Sequence, residues 1–156
     1  MKQLNLWLCL ICTIICGAQT KPVIKHLKTS TFDVAIFPAE YFDDVNKHFT
    51  PSKEDIIRAE NALRTDLAEL NKDLTGQDKT PIIHKNLSRY FRQYSGYIND
   101  SGQHILLINN LWKSDNSSNE WRKQIIDVAD GGSYYWNVKY NCSTGELFYL
   151  VINFEA

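Results

Sequence analysis

TPSKEDIIRAENALRTDLAELNKDL, residues 50–74, is the stretch that decides the fold. Ile56, Ala59, Leu63, Leu67, Leu70 and Leu74 recur at steps of three and four, the period that lines apolar side chains along one stripe of an α-helix. Thr50 followed by Pro51 predicts the N-cap and the first helical position, and Gly76 predicts the stop. Glu60 and Arg64 stand at the spacing that pairs opposite charges on a helix surface. A helix with one apolar stripe must bury it, and the flanking sequence supplies strands to do so.

Upstream, Phe32 to Phe37 alternates, with Phe32, Val34 and Ile36 on one side and Pro38 as terminator. Residues 39–49 read as a connection. Downstream, Arg89 to Ile98 is rich in Tyr and Phe, which suit a pleated surface. Asn99-Asp100-Ser101-Gly102 turns the chain and Gln103 to Ile108 returns it, a hairpin. Residues 109–120 are polar and read as a long loop bracketed by Trp112 and Trp121. Gln124 to Val128 reads as a short strand, and Asp130-Gly131-Gly132 as a turn. Ser133 to Asn141 alternates, with Tyr134, Trp136, Val138 and Tyr140 on the core side. Cys142 to Gly145 closes a second hairpin onto Glu146–Phe154, which is apolar on both faces and so is expected to be central or covered. The order predicts an α+β domain, one long helix packed on a curved antiparallel sheet.

The N-terminus carries an address. Lys2 gives a basic start, Leu4 to Ile15 is nearly all apolar, and Cys16-Gly17-Ala18 offers small residues for cleavage before Gln19. These are the three regions of a secretory signal peptide. The apolar run is shorter than the roughly 20 residues of a membrane-spanning helix. The expected organisation is a signal peptide over 1–18, an exposed leader over 19–31 and a single domain over 32–156, secreted or periplasmic. A lipid anchor on Cys16 is the weaker alternative, since Ile14 and Ile15 precede it in place of small residues. Cys9, Cys12 and Cys16 leave with the signal, so Cys142 stands alone and the core must hold the mature chain without a disulfide. A net charge of −1 provides no basic field for nucleic acid.

The order of elements resembles the cystatin-like arrangement, a helix across a bent antiparallel sheet. The Gln-x-Val-x-Gly and Pro-Trp tips of cystatin inhibitors have no counterpart at Asn99–Gly102 or Cys142–Gly145, so protease inhibition does not come with the fold. Asp130-Gly-Gly, Tyr134-Tyr-Trp-Asn-Val138, Tyr140-Asn141, Thr144-Gly145 and the closing Val-Ile-Asn-Phe-Glu-Ala resemble the C-terminal part of small exported proteins of Bacteroidota. That resemblance implies a periplasmic or outer-surface address and supplies no activity.

The chemistry-bearing residues do not assemble into a catalytic set. His26, His48, His84 and His104 are scattered, and none is spaced to serve Cys142 or to ligate a metal with a second histidine. No catalytic residue, metal or cofactor is assigned. Trp112 and Trp121 flank the polar loop and, with Asp127 and Asp130, form the expected contact site for a protein or ligand partner in the cell envelope. The bland readings are that the two indoles pin the loop and that Asp130 caps a solvated turn. The alternative function is a small-molecule or enzymatic site between helix and sheet, with His104, Asp127 and Tyr94 facing inward. An inhibitor of a secreted toxin or protease is the third.

Overall fold

The computed structural model describes residues 21–74, 77 and 79–153. The predicted signal segment, the Gly76 stop and the last three residues lie outside them. The described chain is an α+β fold with an open, mostly antiparallel sheet. Its strands are β1 (Lys25–Lys28), β2 (Asp33–Ile36), β3 (His48–Phe49), β4 (Tyr90–Ile98), β5 (His104–Trp112), β6 (Tyr135–Asn141) and β7 (Leu147–Ile152). They run in the order β1-β2-β4-β5-β6-β7, with β3 also paired to β4. Only β2 and β4 are parallel. Helix α1 (Lys53–Thr65) and the single turn α2 (Leu67–Leu70) enter between β3 and β4.

Helix α1 starts later and ends earlier than the periodicity predicts. Ser52 is the N-cap: its Oγ accepts from the Asp55 amide at 3.1 Å, and Asp55 Oδ2 accepts from the Ser52 amide at 3.0 Å. This reciprocal capping box outcompetes Thr50, whose Oγ1 instead accepts from the Ala39 amide and ties down the preceding connection. At the other end the Thr65 hydroxyl donates to the Asn61 carbonyl at 3.2 Å, a back-bond of the kind that bends helices. Asp66 then separates α1 from α2, so the single long helix is two pieces. The stripe survives the break, since Ile56, Ala59, Leu63 and Leu67 are all buried.

The stripe packs on one face of the sheet. Val34, Ile36, Tyr90, Tyr94, Leu106, Ile108, Trp136, Val138 and Tyr140 meet it, as the alternation predicts for Trp136, Val138 and Tyr140, while Tyr134 precedes β6 in a 3-10 turn. The opposite face has its own smaller core of Ala35, Phe37, Leu111 and Trp121, covered by the 3-10 turns Ala39–Tyr41 and Asn119–Arg122. Gly96 allows β3 to cross β4, because a Cβ there would stand 2.6 Å from the Phe49 carbonyl oxygen.

Four sequence expectations change. Residues 25–28 of the leader form edge strand β1, exposed at Lys25, His26 and Lys28 yet paired along β2. The hairpin strand β5 runs on to Trp112, so part of the expected polar loop is strand. Residues 124–128 are not a strand. Gln93 Nε2 donates to the Gln124 carbonyl at 2.7 Å, Gln93 Oε1 accepts from the Ile126 amide at 2.9 Å, and Asn109 Nδ2 donates to the Ile126 carbonyl at 2.7 Å. Two side chains thus replace the ladder. Finally, β7 is not central and is covered on one face only: it is the sheet edge, with Leu147, Leu150 and Ile152 packed on the helix-side core and Phe148, Tyr149 and Val151 exposed.

Candidate functional site

Trp112 and Trp121 do not form one platform. Trp112 lies on the α1 side of the sheet, half-buried against Tyr90 and Tyr134 at centroid distances of 5.0 and 5.4 Å. Trp121 lies on the other side and is 2% exposed, stacked on Phe91 at 4.2 Å and edge-on to His26 at 5.7 Å. Both indoles are packing residues on opposite faces of the sheet: Trp112 ends β5 with its ring on the α1 side, and the turn that follows carries Trp121 to the other face. Asp127 and Asp130 are exposed. Among the described residues no three His, Cys, Asp or Glu side chains are grouped to hold a metal ion.

The cavity alternative fares differently at each residue. His104 is exposed and stacks on Phe49 at 4.3 Å. Tyr94 is fully buried and donates to Glu60 Oε1 at 2.9 Å. Asp127 sits in the exposed segment over the opposite face, so the three do not converge.

What the helix–sheet layer does contain is an ion pair that the sequence reading missed. Glu60 is 3% exposed and Arg92 1% exposed, with Arg92 Nη1 3.5 Å from Glu60 Oε1. That separation is an ion pair without a hydrogen bond: Arg92 Nη1 and Nε lack hydrogen-bond partners among the described residues, while Nη2 donates to the Leu87 carbonyl at 2.7 Å. Burial raises the Glu60 carboxyl above its ordinary range, and the Arg92 charge and Tyr94 hydroxyl offset only part of that rise. Burial and the Glu60 charge push the Tyr94 phenol well above its usual value. Arg64 bonds to Asn61 and meets Glu60 only through a weaker charge interaction, not as the expected surface pair. The signal was present in the spacing. Glu60 falls beside Ile56 and Leu63 on the apolar stripe, and Arg92 alternates with the inward Tyr90 and Tyr94.

On the second face, Asp33 is buried, bonds to His26 Nε2 at 2.5 Å and lies near two cations, Lys28 Nζ at 3.4 Å and Arg122 at 3.8 Å. This cluster binds β1 and the Trp121 turn to β2. It uses its charges internally.

The remaining half of that face, toward the β4–β5 turn and β7, carries half-buried Tyr97, Leu107, Asn137 and Lys139 around buried Ile105. Lys139 Nζ lies between the Tyr97 and Tyr149 rings, 5.6 and 4.5 Å from their centroids. Phe148, opposite Lys139 in register, and Val151, opposite Asn137, are exposed beside it. A bulge between Asn137 and Lys139 puts an extra residue into β7, and Tyr149 there takes φ 52° while 64% exposed. The left-handed region costs a bulky side chain free energy, and burial does not offset it at this position. This half of the face thus presents one cation held against two rings, exposed apolar side chains and a strand edge. Comparison with known protein families, curated proteins and solved structures finds no match for the chain. Among the described residues no helix is long and apolar enough to cross a membrane.

Proposed function

We propose that this chain is an exported, non-catalytic binding protein of the cell envelope that holds a protein partner against the open half of its sheet. One observation carries the reading: Phe148, Tyr149 and Val151 stand exposed on an edge strand, with Tyr149 held in left-handed backbone over Lys139. Exposed apolar side chains grouped in this way are characteristic of interaction surfaces. The basic, apolar and small-residue regions of Met1–Ala18 support export, and the resemblance to small exported proteins of Bacteroidota supports an envelope address. The frame is read as cystatin-like in its helix-on-sheet plan, without the inhibitory tips.

The test is a pull-down from the envelope fraction with the chain from Gln19 as bait, alongside the Phe148→Ser, Val151→Ser double variant. A single stoichiometric partner retained by the wild type and lost by the folded variant is expected. A blank with both baits overturns a protein partner and turns attention to small ligands. Equal capture by both overturns the assignment to this face.

A further inference from the structure

Resting on that reading, we infer that the β7 edge is completed by an extended segment of the partner in which basic and apolar side chains alternate. The two edges of the sheet differ in a way that selects one of them. Edge β1 presents Lys25 and Lys28, the charged guard that discourages strand addition. Edge β7 reads Leu-Phe-Tyr-Leu-Val-Ile, with no charge, proline or glycine; its one guard is the bulge at Tyr149, which limits pairing to the short runs on either side.

The backbone of β7 is oriented to receive a strand. The Asn141 amide donates to the Glu146 carbonyl at 3.0 Å and the Asn153 amide to the Tyr135 carbonyl at 3.2 Å, which sets the phase of the ladder at both ends. Antiparallel pairs alternate between bonded and non-bonded, so Phe148 and Val151 turn their peptide groups toward β6. Leu147 and Ile152, on either side of the bulge at residues 149–150, turn theirs outward, and β7 pairs with no strand but β6 among the described residues. Main-chain bonding at such an edge gives affinity, and flanking side-chain sites give specificity.

Those flanks are unlike each other. On the helix side an open groove of ≈ 640 Å³ runs along α2, lined by Asp66, Glu69, Asp73, Leu70 and Leu147. Glu69 shares its charge with Lys72, and Asp66 and Asp73 are exposed. On the other side lie Phe148 and Val151. Successive side chains of an added strand point to opposite faces, so one set meets carboxylates and the next meets apolar surface. Lys or Arg alternating with Val, Ile or Leu fits both.

A second copy of this chain fits poorly. Two β7 edges joined antiparallel about a two-fold axis would bring both helix-side grooves to the same face and set Asp66, Glu69 and Asp73 against their equivalents. β7 itself offers no cation to either groove.

The experiment is fluorescence anisotropy with a labelled Lys–Val alternating peptide. Controls are a scrambled peptide of the same composition and one N-methylated at every second residue. Expected is saturable binding of the alternating peptide alone, weakened about tenfold by the Asp66→Asn, Glu69→Gln, Asp73→Asn triple variant, three surface charge pairs' worth. Equal binding of the scrambled or N-methylated peptide, or no effect of the triple variant, overturns strand addition. Dimerisation in analytical ultracentrifugation that blocks the peptide overturns it in favour of a second copy. If the pull-down yields a partner whose capture depends on Phe148 and Val151 but the peptide does not bind, the edge proposal falls and the binding face stands.

Discussion

Tyr94 on β4 donates its hydroxyl to Glu60 on α1, across 2.9 Å in a layer closed to solvent. The same carboxylate is the counter-ion of Arg92, so one helix residue serves two strand residues on the face it covers. Removing either member of a buried ion pair strands the other charge. Replacing both with apolar groups of similar size is far milder. Glu60→Leu and Arg92→Leu are each expected to cost about 3 kcal/mol, and the double variant less than either single. Urea unfolding of the four proteins measures this; additive losses would show that the pair is not coupled.

Glu60 also sets a pH dependence. Its carboxyl titrates above the ordinary range in the folded chain, mainly through burial. The folded state therefore keeps a proton that the unfolded chain has released. The stabilisation is complete below the unfolded value and disappears as pH rises through the folded one. Asp55 acts in the opposite sense. Burial pushes it up, but the bonds from Ser52 and Arg58 prevail and hold it below its usual value, so its contribution is lost as pH falls. Glu60→Gln should flatten the fall of stability toward neutral pH and leave the acid limb intact. Urea midpoints for both proteins between about pH 3 and pH 8 decide it, and parallel profiles would refute the assignment.

Cys142 behaves as a packing residue. Burial, assisted by Asp55 and opposed by Arg58, pushes its thiol up to about 11. The thiolate is the nucleophile, so little of it is present at neutral pH. Alkylation by iodoacetamide should be about tenfold slower than that of a free thiol near pH 8, and still climbing where the free thiol has levelled off. A rate equal to that of a free thiol would show that burial does not suppress the Cys142 thiolate.

The elements whose apolar residues face the chain's own core were legible; those fixed by distant partners were not. The stripe from Ile56 to Leu67 and the alternation from Trp136 to Tyr140 read correctly because each buries one face on the other. β1 escaped notice because Lys25-His26-Leu27-Lys28 has one apolar residue and owes its conformation to backbone pairing with β2. Residues 124–128 looked like a strand because the side chains that hold them, Gln93 and Asn109, are far away in sequence. β7 was misplaced for a different reason. Apolar residues on both faces usually mean burial, and here they mark an exposed edge. The apolar run of β7 was thus visible in composition and misread in position, while Trp112 and Trp121 drew attention to rings that the fold uses as packing.

Tyr149 separates the demands of folding from those of binding. At φ 52° its backbone suits Gly or Asn and penalises a β-branched residue by about 1–2 kcal/mol. Its ring contributes one exposed contact with Lys139, 4.5 Å away, worth about 0.5–1 kcal/mol. Relief of strain and loss of that contact nearly cancel for Tyr149→Gly and Tyr149→Asn, so both should stay within about 0.5 kcal/mol of wild type, whereas Tyr149→Val should lose about 2 kcal/mol. If the ring is kept for a partner, the Gly and Asn variants will be as stable as the wild type and still fail to retain it in the pull-down. Undiminished capture by both would show that Tyr149 has no part in binding, and a stable Tyr149→Val variant would show that the left-handed backbone there carries no strain.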